Sequence, residues 1–324
     1  MPSTMSDWRA ATDPDDLREY DRFGPWIDNV TQAVDMPRRF RPWWPELRGA
    51  QYLLKVPRSY DRAQIRPGMD LYESVIAVLP EKLCVLRAEP AGVVRLDVAR
   101  HEVVASVRYS NLLIGRWSLL LADGGSVDVA FNSVSLPMVS EVDRVVMSGG
   151  EGLSGEVSQW TPSAAPGHQP RDHFFRSTVA TLSAEGGGRV RPLHIEEPDQ
   201  PCRTEKNRVR RSAGMMILHS PDDLLVFNRT MAARPLFRRA NYAVNTIRIP
   251  FRLMTSFEIR RPEQTSPPGF SHLVITCDRQ VITQAVLQPP EDVADLLSAR
   301  GVPGKTSAGI DVVGRERGPD ARDV

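Results

Sequence analysis

The stretch RWSLLLA (116–122), DGG (123–125), SVDVAF (126–131) decides the fold class. Two β-rich runs flank Asp123-Gly124-Gly125, and glycine accepts the positive φ that a tight hairpin requires. Ser135-Leu136-Pro137 then opens a helix. Proline suits the first helical position, and Met138, Val142, Val145 and Val146 fall near i, i+4, i+7 and i+8. Strands that end in one amphipathic helix have a physical logic, because the helix covers the apolar face and open end of the sheet.

Working outward, residues 71–79, 82–87, 92–98 and 103–109 are further short strand-like runs with proline and glycine turns between them. Residues 1–68 read as a helical and extended arm. Asp13-Pro14-Asp15-Asp16 supplies a helix N-cap, Pro25 a stop, and 26–34 a second helical turn. Residues 148–188 have the glycine and proline content of a linker, and 174–182 within it is expected to pair as a strand with 190–195 around Gly186-Gly187-Gly188.

A second set follows at 215–219, 224–228, 242–249, 253–259, 272–277 and 281–287, and Pro289-Pro290-Glu291-Asp292 opens another helix. The two sets share one order. Residues 93–98 correspond to 246–249, 117–121 to 272–276, Asp123-Gly124-Gly125 to Asp278-Arg279-Gln280, and the helix from Pro137 to that from Pro289. The alternative is two unrelated β domains with chance similarity. The expected fold is mainly β (α+β): two domains, 69–147 and 189–301, with a disordered tail at 302–324.

Residues 97–144 and, more loosely, 247–300 resemble the pleckstrin-homology-like (PH-like) superfold in its bacterial variants. The signature is a strand, VARHEV (98–103) or IPF (249–251), the next strand, a hairpin and a capping helix. The long insert at 260–270 and the N-terminal arm depart from a minimal domain. The resemblance implies antiparallel sheets or partly open barrels and a non-catalytic binding or scaffolding role. It also implies ring-like homo-oligomers.

At 324 residues, with a net charge of +1, the chain has no global field favouring nucleic acid or membrane. Three cysteines are too few for a disulfide framework or zinc site, and Cys84 and Cys277 lie in apolar runs. No phosphate loop, dinucleotide fingerprint or His-Glu-x-x-His is present, and no histidines are spaced as ligands. No cofactor or metal is expected. The N-terminus lacks a signal-peptide pattern and no run could span a bilayer, so a cytoplasmic address is expected, with peripheral membrane attachment as an option.

The positive charge is local. Residues 203–261 hold thirteen Lys and Arg against four carboxylates, an excess of nine. Arg208, Arg210, Arg211, Arg234, Arg238, Arg239, Arg248 and Arg252 are the candidate contacts to an anionic surface such as lipid head groups. Pairing with acids elsewhere in the fold is the competing account. Arg38, Arg39 and Arg41 with Trp43 and Trp44 are candidates for a partner or membrane interface, against packing of the arm on the first sheet. Nucleic-acid binding is disfavoured because the basic segment lacks stacking aromatics. An enzyme with an inter-domain site drawn from His101, Glu102 and Asp172 is the alternative function.

Overall fold

The computed structural model describes residues 7–148, 172–185, 189–198, 201–203, 209–211, 213–229, 243–260, 270–287, 290–306 and 310–312. The fold is mainly β. Its sheets are antiparallel, apart from one short parallel pairing, and are open rather than closed into barrels. Among the described residues no helix is long and apolar enough to cross a membrane. Tertiary contacts divide the chain into two compact units. One is Met1–Val103, Arg108–Leu119 and Val127–Gly152; the other is Val104–Val107, Leu120–Ser126 and Leu153–Val324.

In the first unit, α1 (Asp7–Ala10) precedes α2 (Pro14–Arg22), which starts as its sequence dictates. The Asp13 carboxylate accepts from the N–H groups of Asp15 and Asp16, and Pro14 takes the first turn. A five-stranded sheet has the order β1 (Asp28–Asn29), β2 (Tyr52–Pro57), β3 (Tyr72–Val78), β4 (Lys82–Glu89) and β5 (Gly92–Ala99). The helical turn expected over 26–34 is found only at its end, as the 3₁₀ helix Ala33–Asp35; before it β1 and Val30, whose N–H donates to Leu53 O at 2.7 Å, tie the stretch to the sheet edge. The extended part of the arm includes β2, which pairs with β3.

The sheet explains the arm. In register, Leu53, Ala77 and Cys84 share one face and Leu54, Ile76 and Val85 the other, and all six are buried. A sheet buried on both faces needs two covers. On the first face the cover is the arm, whose Phe23, Met36, Phe40 (in the 3₁₀ helix Arg38–Trp43) and Leu47 (in α3, Trp44–Leu47) pack with Val75 and Leu86. Beyond the one-turn 3₁₀ helix Arg100–Glu102 come β6 (Val103–Asn111), β7 (Ile114–Leu121), β8 (Ser126–Asn132) and α4 (Leu136–Met147). Gly124 adopts φ +96° in the β7–β8 turn, and Asp123 Oδ1 accepts from Gly125 N–H at 2.7 Å.

Helix α4 buries Val139, Val142, Val145, Val146 and Met147, and also Asp143. Trp117 Nε1–H donates to Asp143 Oδ1 at 2.9 Å, with Arg108 beside Asp143 Oδ2 at 3.6 Å and also donating to Ser140 Oγ. Arg100 donates to the carbonyls of Val145 and Pro80. The Trp117 hydrogen bond and the Arg108 charge offset the cost of burying this carboxylate.

In the second unit, α5 (His173–Glu185) replaces the strand expected at 174–182. Phe175, Val179 and Leu182 recur at helical spacing. The Asp172 carboxylate caps the start, accepting from Phe174 and Phe175 N–H while Arg229 grips it at 3.0 and 3.2 Å. The Arg229 guanidinium also lies over both phenylalanine rings. Strands β9 (Arg191–Glu196), β12 (Met215–His219), β13 (Asp223–Arg229) and β14 (Val244–Pro250) are antiparallel neighbours, and β10 (Pro201–Arg203) pairs separately with β11 (Val209–Arg211). Phe175 packs with Val190, Met216, Leu218, Leu225 and Phe227.

The 3₁₀ turn Phe251–Leu253 then leads to β15 (Ser256–Arg260), β16 (Ser271–Cys277), β17 (Gln280–Val286) and α6 (Glu291–Ala299). Asp278 takes φ +50° in the two-residue turn before Gln280. Strands β18 (Gly304–Thr306) and β19 (Ile310–Val312) extend the sheet beyond β15, so part of the expected disordered tail is ordered. From β5 to α4 and from β14 to α6 the elements run in a similar order, strand, one-turn 3₁₀ helix, three strands, helix, with an added 3₁₀ turn, Ser133–Ser135, before α4 alone.

Candidate binding groove

The groove in the second unit is built by the way α6 ends. Gly301 sits at φ +76°, its N–H donates to Ser298 O at 2.9 Å, and Val302 N–H donates to Leu297 O at 3.0 Å. This left-handed glycine terminates the helix and turns the chain back along β15. There Phe257 N–H donates to Pro303 O at 2.8 Å, and β18 pairs parallel with β15. A Cβ on Gly304 would fall 2.1 Å from the Phe257 ring, so only glycine allows this approach.

Alternation along β15 buries Phe257 and Ile259 and turns Ser256, Glu258 and Arg260 the other way. Cross-strand register sets Val274 beside Glu258 and Thr276 beside Ser256, and then Val281 beside Thr276. The outcome is a groove of about 520 Å³. Val274, Val281, Val302 and Pro303 supply apolar surface, with Ser298, Thr276 and Lys305 among the polar residues around them. Glu258 and Arg260 form an exposed ion pair at 2.8 Å. The Arg260 charge is reinforced by that partner, while burial and then Arg260 push the nearby His272 below its ordinary value. An apolar floor with a few charged groups at its margin suits a ligand with an apolar body and a polar end.

The first unit holds a tighter polar cluster. Lys55, on the buried sheet, reaches Asp28 at 3.2 Å and Asp35 O at 3.5 Å and lies 5.5 Å from the Tyr72 ring centre. Burial raises the Glu19 carboxyl and the Tyr72 hydroxyl above their ordinary values. The cleft at this point is only about 20 Å³, room for about one water, so the cluster works as a clasp between arm and sheet.

The arm residues singled out from sequence belong to that clasp. Arg38 pairs with Asp16, and its N–H donates to Glu19 Oε2 at 2.9 Å. Arg39 reaches Asp70 at 2.5 Å and Gly92 O at 2.7 Å, and Arg41 reaches Asp15 at 2.7 Å. The Asp15 carboxyl is held below its ordinary value by the hydrogen bond and charge of Arg41. Trp43 and Trp44 are partly buried against the Phe40 cluster.

Of the candidate arginines, Arg248 pairs with Asp223 at 3.0 Å and is largely buried, and Arg252 is exposed. Arg210 and Arg211 lie on β11, where only the backbone is described. Arg208, Arg234, Arg238 and Arg239 lie outside the described residues. Two further cations of the basic stretch, Arg229 and Arg260, also meet carboxylates. His101 and Glu102 occupy the 3₁₀ turn before β6, where Glu102 Oε2 accepts from Ala99 N–H, and Asp172 is the cap of α5. Among the described residues no group of three or more His, Cys, Asp or Glu is placed to hold a metal ion.

Sequence reasoning missed the groove. Gly301 followed by Pro303 is a legible helix stop, but the approach of Gly304 to Phe257 joins residues far apart in the chain. No family model matches the sequence, and no curated protein matches it at a significant level.

Proposed function

We propose that this protein is a non-catalytic binding protein built on PH-like units, whose second unit receives an apolar segment of a partner in the groove beside β15 and α6. The observation that carries the reading is the groove, large enough for two or three side chains and apolar at its base. The recurrence of three strands and a terminal helix in both stretches supports the PH-like assignment. Titration with a bis-anilinonaphthalene fluorophore tests it. One saturable site per chain is expected, weakened about tenfold or more when Thr276→Trp fills the groove. Absence of saturable binding, or binding unchanged by that substitution, overturns the reading.

The anionic-surface reading draws its support from the local excess of nine positive charges. It predicts sedimentation with anionic vesicles at low salt, weakened by Arg238→Glu with Arg239→Glu. The ion pairs of Arg229, Arg248 and Arg260 place less weight on it than on the groove.

A further inference from the structure

The four most exposed large aliphatic residues of the described chain sit together. Leu112, Leu113 and Ile114 are 70%, 66% and 68% exposed, and Val134 is 68% exposed. Strand β6 ends at Asn111 and β7 begins at Ile114, so two leucines form the whole turn. Ser133 N–H donates to Leu113 O at 3.1 Å, which brings Val134 alongside. Leu112 stands at φ +51°, where asparagine or glycine is the unstrained choice.

The flanks carry a consistent charge. From 104 to 122 the charged residues are Arg108 and Arg116, with no carboxylate, and from 129 to 140 there is no charge at all. Arg108 is taken up by Asp143 and Ser140. Arg116 is exposed and has no ion pair among the described residues. At strand rise it lies about 7 Å behind Ile114. Asp128, on β8, is held by Ser118 Oγ.

We propose that this hairpin tip is a membrane-inserting wedge: Leu112, Leu113, Ile114 and Val134 enter the acyl boundary of an anionic bilayer while Arg116 meets lipid phosphate. A fluid apolar phase accepts a convex, two-residue aliphatic turn without a matching recess. A protein partner would instead require a fitted pocket, and protein hot spots favour aromatic anchors that this tip lacks. The exposed cation behind the apolar point, with no carboxylate in the turn or on β7, is complementary to an anionic head-group layer. The inference uses a different surface from the groove and stands or falls without it.

The test is sedimentation of the full chain with phosphatidylcholine vesicles, with and without about one-third phosphatidylglycerol. Leu113→Ser with Ile114→Ser is expected to lower partition about tenfold or more on either vesicle. Arg116→Ser is expected to lower it roughly fivefold on the anionic vesicles alone. Because the residues are exposed, both variants should unfold at the wild-type temperature. A nitrobenzoxadiazole dye on Leu113→Cys, in a Cys202→Ser background, should shift blue on vesicle addition. Wild-type protein that fails to sediment with either vesicle overturns the proposal. So does a double serine variant that sediments undiminished, or one that dissociates a dimer by light scattering while vesicle binding stays the same.

Discussion

Helices α4 and α6 end two stretches with a similar order of elements, yet they are fastened differently. Helix α4 carries a buried aspartate that receives the Trp117 indole and lies against Arg108, and Arg100 binds carbonyls in its last turn. Helix α6 presents Val293, Ala294, Leu296 and Leu297, and at its end Arg300 stacks on Phe251 at 4.7 Å. A polar lock admits one geometry, because any slip strands a desolvated charge. An apolar face tolerates small displacements, since its attraction has no direction. The groove lies beside the helix of the second kind. One stretch therefore ends on a helix held by a polar lock, and the other on a helix with an apolar face beside the groove.

The sharpest way to break this contrast is Asp143→Ala. It leaves the Trp117 N–H buried without its acceptor and the Arg108 charge without its counter-ion, and should destabilise the first unit by about 3–5 kcal/mol in urea unfolding. Asp143→Asn keeps an acceptor for Trp117 and should recover part of the loss. A change below about 1 kcal/mol for the alanine variant would remove the polar lock from the account.

On the other helix, Leu297→Ala should cost the second unit about 2–3 kcal/mol through lost burial and the space left behind. If Leu297→Ala proved more damaging than Asp143→Ala, the ranking of the two fastenings would be reversed.

The smallest effect concerns the clasp of the arm. Burial raises the Glu19 carboxyl above its ordinary value of 4.5, so the folded chain holds that proton to higher pH than the unfolded one. The stability linked to Glu19 is complete below pH 4.5 and is lost as pH rises through the folded value. Glu19→Gln removes that loss, so its stability relative to wild type should rise between pH 4 and neutrality. Unfolding curves with the same pH dependence in both proteins would show that Glu19 is not desolvated.

Much of this framework was legible because local chemistry decided it. Asp123-Gly124-Gly125, Asp13 before Pro14, and Pro137 each act within a few residues, and the structure places a hairpin and two helix starts there. Residues 174–182 misled because their aromatic and β-branched content suits a strand. The Asp172 cap that makes them a helix is itself held by Arg229, 57 residues away. Strand β2 was hidden in the arm by Lys55, which interrupts an apolar run and is paid for by Asp28 and the Tyr72 ring. The groove was invisible because it depends on registers between β15, β16 and β17 and on one left-handed glycine. No spacing rule encodes those relations.

The leucine at φ +51° has a consequence for anyone improving this protein by stability alone. Glycine or asparagine at 112 would relax a backbone strain of about 1–2 kcal/mol and remove an aliphatic side chain from water. Any thermostability screen would therefore select against Leu112 early. If the tip is used as proposed, the variants that survive heating best would be the ones that have lost their hold on the bilayer.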